Sequence, residues 1–384
     1  RLCGLLFAPD ERGLCVVSVD GRVVSAIEPA AGAPDGSVGG PSYRIVPGLI
    51  DIQVNGAFGD DFADPRADLA RIRREMPRFG VTAFVPTIVT SPPEAYAPAL
   101  ANLRASSRPG EARVPGVHIE GPYISPRHKG THDPAQLRLP DRREVESWLE
   151  AGDVSWLTLA PELPGALPLI ELLADRGVRV SVGHTDATWT EAAAAERAGA
   201  TMATHLFNAM RPLRHRDPGV VGYVLASGLL AGFMADGRHL AFETIRLLAR
   251  IKAPDELFLV TDALAGLGMP PGRYALAGRE YVSDGVTGHL PDGTLSGSLL
   301  PMDRAVRNLV VEAGLPPPVA IALATRNPAR ALGLEGLGRI AVGGPADLVL
   351  LGPDWRVDRT YVAGELAYDA ETGAPETDQV GAVR

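Results

Sequence analysis

Five short stretches carry side chains able to do hydrolytic chemistry: "VHIEGP" with Glu120, "SVGHTDAT" with His184, "ATHLFNAM" with His205, "ADGRHL" with His239 and "LVTDALAG" with Asp262. Each lies at or just past the end of an apolar run of strand length, so the five groups stand at equivalent heights on separate strands. One carboxylate and two imidazoles form a ligand set that suits a catalytic zinc ion with a position open for water. Such an ion lowers the pKa of its water toward about 7 and polarises a carbonyl. Singly, each residue has a plainer reading. A histidine at a strand end is commonly a hydrogen-bonded structural group, Glu120 suits a loop carboxylate, and Asp262 suits a helix cap. Their coincidence at one end of one set of strands argues for a site.

The stretch "LIDIQVNGAFG", residues 49–59, adds polar groups to an apolar strand. Side chains alternate, so Asp51, Gln53 and Asn55 share one face while Ile50, Ile52 and Val54 share the other. A strand end meeting water explains this pattern; so does a face turned into a reaction cavity.

The elements that must position these groups read as alternating runs. Strand candidates cover residues 48–56, 81–89, 114–121, 154–162, 178–185, 201–207, 229–236 and 257–264, with helical stretches at 65–79, 141–151, 165–176, 188–199 and 241–252. Repeated strand–helix units predict an α/β fold, a closed (β/α)8 TIM-like barrel whose catalytic groups gather at the C-terminal ends of its strands. The ends differ. Residues 14–28 alternate around Asp20-Gly21, a hairpin signal, and residues 339–368 do much the same, so both are assigned to one small β-sandwich domain formed where the termini meet. The expected division is 1–47 for the N-terminal part of that domain, 48–333 for the barrel, and 334–384 for the C-terminal part and a tail, with the last dozen residues disordered. Residues 273–294 read as a hairpin inserted after the eighth strand.

The 384 residues, 46% hydrophobic, can bury a large core, which excludes a disordered protein. A net charge of -9 and a pI near 5.5 argue against a nucleic-acid partner, so any phosphate must be met locally. Cys3 and Cys15 alone give neither a disulfide framework nor a CxxC site, and a reducing cytoplasm is the expected setting. No apolar run approaches the roughly 20 residues of a membrane span, so no membrane partner is expected.

In chain order, "PGLIDIQVNGAFG", "HIEGPYIS", "KGTHDP", "TLAPE", "SVGHTDAT", "ATHLFNAM", "ADGRHL", "LVTDA", "GTLSGS" and "NPARALGL" make this sequence resemble the amidohydrolase superfamily and, within it, the N-acetylglucosamine-6-phosphate deacetylase family. The resemblance implies that Glu120, His184 and His205 hold one divalent metal ion per subunit, zinc foremost, with Fe(II), Co(II) or Mn(II) as alternatives. It implies that Asp262 is the general base and acid, that His132 polarises the acetyl carbonyl, and that His132, Asn208, Ala209, His239 and Leu295 contact a sugar phosphate. It further implies that Arg216 reaches the substrate of a neighbouring protomer, hence a homodimer with shared sites. The chemistry is consistent, because amide hydrolysis needs a strong nucleophile, an activated carbonyl and a proton donor for the departing nitrogen. The run "RPLRHR", residues 211–216, concentrates positive charge beside "FNAM", and arginine can grip phosphate through two parallel hydrogen bonds.

Many amidohydrolases carry His-x-His at the end of the first strand, where both imidazoles hold a second metal. Here those positions are Gln53 and Asn55, whose amide oxygens are weak ligands, so a single strongly bound metal is expected. Gln53, Asn55 and His118 are read as supporting or packing groups around it. Gly130, in "SPRHKGTHDP", suggests a flap over the sugar, while His128 and Lys129 receive no role. The competing readings are a deacetylase of N-acetylgalactosamine 6-phosphate, an amidohydrolase acting on another amide, and a barrel that binds without catalysis. The second is weakened because the only lysines, Lys129 and Lys252, do not sit at the end of the fourth strand.

Overall fold

The computed structural model describes residues 1–8, 10–104 and 108–373. Its central sheet has eight parallel strands paired in chain order: Leu49–Val54, Val81–Val89, Val117–Glu120, Val154–Leu159, Arg179–Val182, Met202–Ala203, Leu230–Phe233 and Leu257–Leu259. All lie within the expected runs. They read as nearly unbroken apolar stretches because helices cover one face and the barrel interior the other; Val81–Val89 is buried throughout. The sheet closes at its C-terminal end, where Val54 bridges Ala263 and Asn55 N donates to Ala263 O at 2.7 Å. Towards its other end, Ile50 N donates to Ala324 O at 2.8 Å, so the end of the helix Pro317–Leu323 enters the seam.

The helices Arg142–Ala151, Ala166–Asp175, Trp189–Ala198 and Phe242–Ile251 match the expected stretches, and Leu69–Glu75 continues as a 3-10 turn to Phe79. Trp189–Ala198 starts at a capping box, in which Thr188 and Glu191 satisfy each other's backbone N–H groups.

Both chain ends build one seven-stranded sheet, in the order Glu365–Asp369, Val357–Val362, Leu348–Leu351, Val38–Pro47, Leu2–Phe7, Glu11–Asp20, Val23–Pro29. The two ends join where Leu348–Leu351 runs antiparallel to Val38–Pro47. Leu6, Val17, Val24, Ile45, Leu348 and Leu350 give this sheet a core of its own. The tip of the expected hairpin is Gly21-Arg22 rather than Asp20-Gly21, because Asp20 still pairs with Val23. Asp347 ties the sheet to the barrel: it accepts from Arg113 Nε and Nη2, both at 3.1 Å, and from Ala363 N at 2.7 Å.

The expected hairpin at 273–294 is a larger insertion, four antiparallel strands covering Gly272–Leu276, Arg279–Ser283, Thr287–His289 and Leu295–Ser298. Its second half is short and glycine-rich and so carries no visible alternation. Its last strand runs beside the extension of the eighth barrel strand, with Ser298 N donating to Asp262 O and Leu264 N to Ser298 O, both at 3.0 Å. The expected terminal disorder falls on residues 374–384, outside the described residues. Among the described residues no helix is long and apolar enough to cross a membrane.

Candidate active site

Glu120 ends the third strand, His184 and His205 follow the fifth and sixth, and Asp262 follows the eighth. The last three have φ of 48°, 29° and 52°, a left-handed backbone that persists only where the surroundings impose it. These kinks turn the side chains together. Glu120 Oε1 lies 3.0 Å from His205 Nε2 and 3.2 Å from His184 Nε2, and the two nitrogens are 3.1 Å apart. That triangle approaches one face of a tetrahedron with metal–ligand bonds of about 2.0–2.1 Å, whose edges are roughly 3.3 Å. His184 Nδ1 donates to His128 O at 2.8 Å, which leaves Nε2 with its lone pair facing Glu120 and His205. These three residues are buried and form a group able to hold a metal ion. Burial pushes the Glu120 carboxyl up, but hydrogen bonds and charge from His184 and His205 outweigh it and hold it well below the usual range.

The polar face of the first strand divides. Gln53 Nε2 donates to Glu120 Oε2 at 3.2 Å and to Asp262 Oδ1 at 3.1 Å, and Asn55 Nδ2 donates to Asp262 Oδ1 at 2.7 Å. Both amides thus present donors, not ligand atoms, to the two carboxylates. Asp51 does not look into the cavity. It is fully buried below it, accepting from Thr261 N at 3.2 Å and from Thr261 Oγ1. Burial lifts the Asp51 carboxyl to about 7, and lifts Asp262 to about 6 with help from the charge of Glu120.

The cavity over these groups has a volume of about 280 Å³, and Asn208, Ala209, His239 and Leu295 line it together with His132. His132 Nδ1 is held by Thr90 Oγ1 at 2.7 Å, and its ring stands edge-on to His184 with centroids 4.5 Å apart. His239 bonds Asp236 Oδ2 through Nδ1 at 2.5 Å and Ser296 O through Nε2 at 2.9 Å. His118 lies outside the cavity. It stacks on Trp156 and bonds Thr87 and Thr158, and burial drives its pKa down to about 3.

The basic run 211–216 does not enter the cavity of its own chain. Arg211 is taken up in an ion pair with Asp217 at 2.6 Å, and Arg216 is exposed. Arg127 and His128, to which sequence reasoning gave no role, do line the cavity, and both pair with Asp186, at 2.8 and 3.1 Å. Their one legible signal is Gly130. A Cβ there would stand 3.2 Å from His184 Cε1, so glycine permits a close approach to the His184 ring, a reason separate from mobility. Gly297 answers the same need beside Asp262, whose carbonyl oxygen a Cβ would strike.

Residues 44–367 match the Amidohydrolase family. The chain belongs to the amidohydrolase family. This amidohydrolase is 40% identical to N-acetylglucosamine-6-phosphate deacetylase of Mus musculus over 86% of its own length and 85% of the relative's. It is 36% identical to N-acetylgalactosamine-6-phosphate deacetylase of Escherichia coli O157:H7, over 90% and 92%. Its structure matches that of N-acetyl-D-glucosamine-6-phosphate deacetylase from Mycobacterium smegmatis, a mutant in complex with N-acetyl-D-glucosamine-6-phosphate, with a TM-score of 0.88, 34% identity and coverage of 95% and 98%.

Proposed function

We propose that this amidohydrolase hydrolyses the acetamide of N-acetylglucosamine 6-phosphate to glucosamine 6-phosphate and acetate. The observation that carries the reading is the convergence of Glu120, His184 and His205 on one point, with Asp262 linked to Glu120 through Gln53. Two imidazoles and a carboxylate suit zinc, one ion per subunit, which when bound supplies Lewis acidity to water and carbonyl. Asp262 takes a proton from the attacking water and returns it to the departing nitrogen, a role that its raised carboxyl and the donors Gln53 and Asn55 support. His132, steadied by Thr90, donates to the acetyl oxygen. Asn208, Ala209, His239 and Leu295 hold the sugar phosphate. Arg216, exposed and outside its own cavity, reaches the substrate of a second copy in a homodimer. The buried free thiols Cys3 and Cys15 fit a reducing cytoplasm.

The second reading, N-acetylgalactosamine 6-phosphate as substrate, is kept because a relative of similar identity bears that name. Elemental analysis and acetate release by the metal-replete protein, with both sugar phosphates, test the two. A higher kcat/KM for N-acetylglucosamine 6-phosphate is expected. A preference for the other sugar would transfer the assignment, and no acetate from either would overturn it.

A further inference from the structure

We infer that Arg279 is a positioning residue for His132, fixing from the inserted sheet the backbone that carries this imidazole; the inference rests on the role given to His132 above. Arg279 begins the second strand of the insertion, far in sequence from the loop it serves. Its Nη1 donates to Thr131 O at 2.6 Å and to His132 O at 3.1 Å. Charge-assisted hydrogen bonds of this kind are stronger than neutral ones. The hairpin tip is pinned on its other side too, because Ala277 N donates to Asp61 Oδ2 at 2.5 Å. The insertion therefore spans from the loop after the first strand to the loop after the third, and Leu276 at its tip joins the cavity wall. His132 is left with three restraints: Thr90 on its ring, Lys129 O on its N–H, and Arg279 on its carbonyl. The third is the only one supplied by the insertion, so the placement of the polarising group depends on how the insertion docks.

A double-mutant cycle in the metal-replete full chain tests this, with acetate release from N-acetylglucosamine 6-phosphate as the readout. Arg279→Met is expected to lower kcat about tenfold to a hundredfold, the loss typical of misplacing a reacting group by an ångström, with KM changed less and metal content unchanged. Arg279→Lys, which keeps a charged donor, should recover most of that loss. In a His132→Asn background, Arg279→Met should cost no more than about twofold further. Wild-type kcat in Arg279→Met, or an equal loss with and without His132, would overturn the inference alone. Full activity in His132→Asn would instead remove the role of His132, and this inference with it.

Discussion

At the scale of single residues, the site is a set of buried charges that satisfy one another. Glu120 shares Oε1 between two imidazoles and gives Oε2 to Gln53, and Gln53 passes the connection to Asp262. Gln53 and Asn55 thus act as donors that orient the two carboxylates. Asp262→Asn is expected to retain the metal, since Asp262 lies outside the three-ligand group, and to lose about two to four orders of magnitude in kcat. Elemental analysis beside steady-state kinetics checks both halves, and undiminished turnover would dismiss the proton shuttle. Glu120, His184, His205 and Asp262 were legible because each closes an apolar run. Thr90, Arg127 and Arg279 were not, since their partners lie in other loops and no spacing announces them.

At the scale of elements, the first and eighth strands are joined less by ladder pairing than by side chains. The bridge from Val54 to Ala263 is supplemented from below by Asp51, which grips Thr261 immediately before Asp262. With its carboxyl lifted to about 7 from an ordinary value of 3.8, Asp51 retains a proton in the native protein that the unfolded chain surrenders. Its contribution to stability is therefore complete below pH 3.8 and is lost as pH rises through about 7, a change of roughly 4 kcal/mol across the window. Asp51→Asn should flatten that decline, so the melting temperatures of the two proteins should converge or cross between pH 4 and 7; parallel curves would refute the assignment. Parallel strands declared themselves through continuous apolar runs. The sixth is the exception, with only Met202–Ala203 in ladder geometry, because the rest of its run coils to deliver His205. The helices Pro93–Leu103 and Gly219–Ala226 are missing from the sequence reading because Pro98 interrupts one and glycines dilute the other.

At the scale of the whole molecule, the barrel and the terminal sheet meet at Asp347. This carboxylate takes both arms of Arg113 and the N–H of Ala363, and it is 7% exposed. Asp347→Ala leaves a half-buried guanidinium and a buried amide without their acceptor, and is expected to destabilise the protein by about 1–3 kcal/mol while leaving the metal content of the folded protein unchanged. Thermal unfolding monitored with metal analysis would show it, and an unshifted midpoint would mean that the junction does not depend on this residue. The meeting of the two ends was visible in the sequence as alternation at both termini. Which strand touches which was not, because register follows from non-local pairing.

That pairing shapes how the chain is made. Strand Val38–Pro47 is made before the barrel and is flanked by Leu2–Phe7 on one side, whereas its other neighbour, Leu348–Leu351, is translated roughly 300 residues later. Throughout that interval the nascent chain carries an open β edge able to recruit strands from other chains. A circular permutant that joins Asp369 to Leu2 through a linker and opens the chain at Arg104 would place all seven strands of the sheet in one continuous stretch of synthesis, and should raise the soluble yield at high expression.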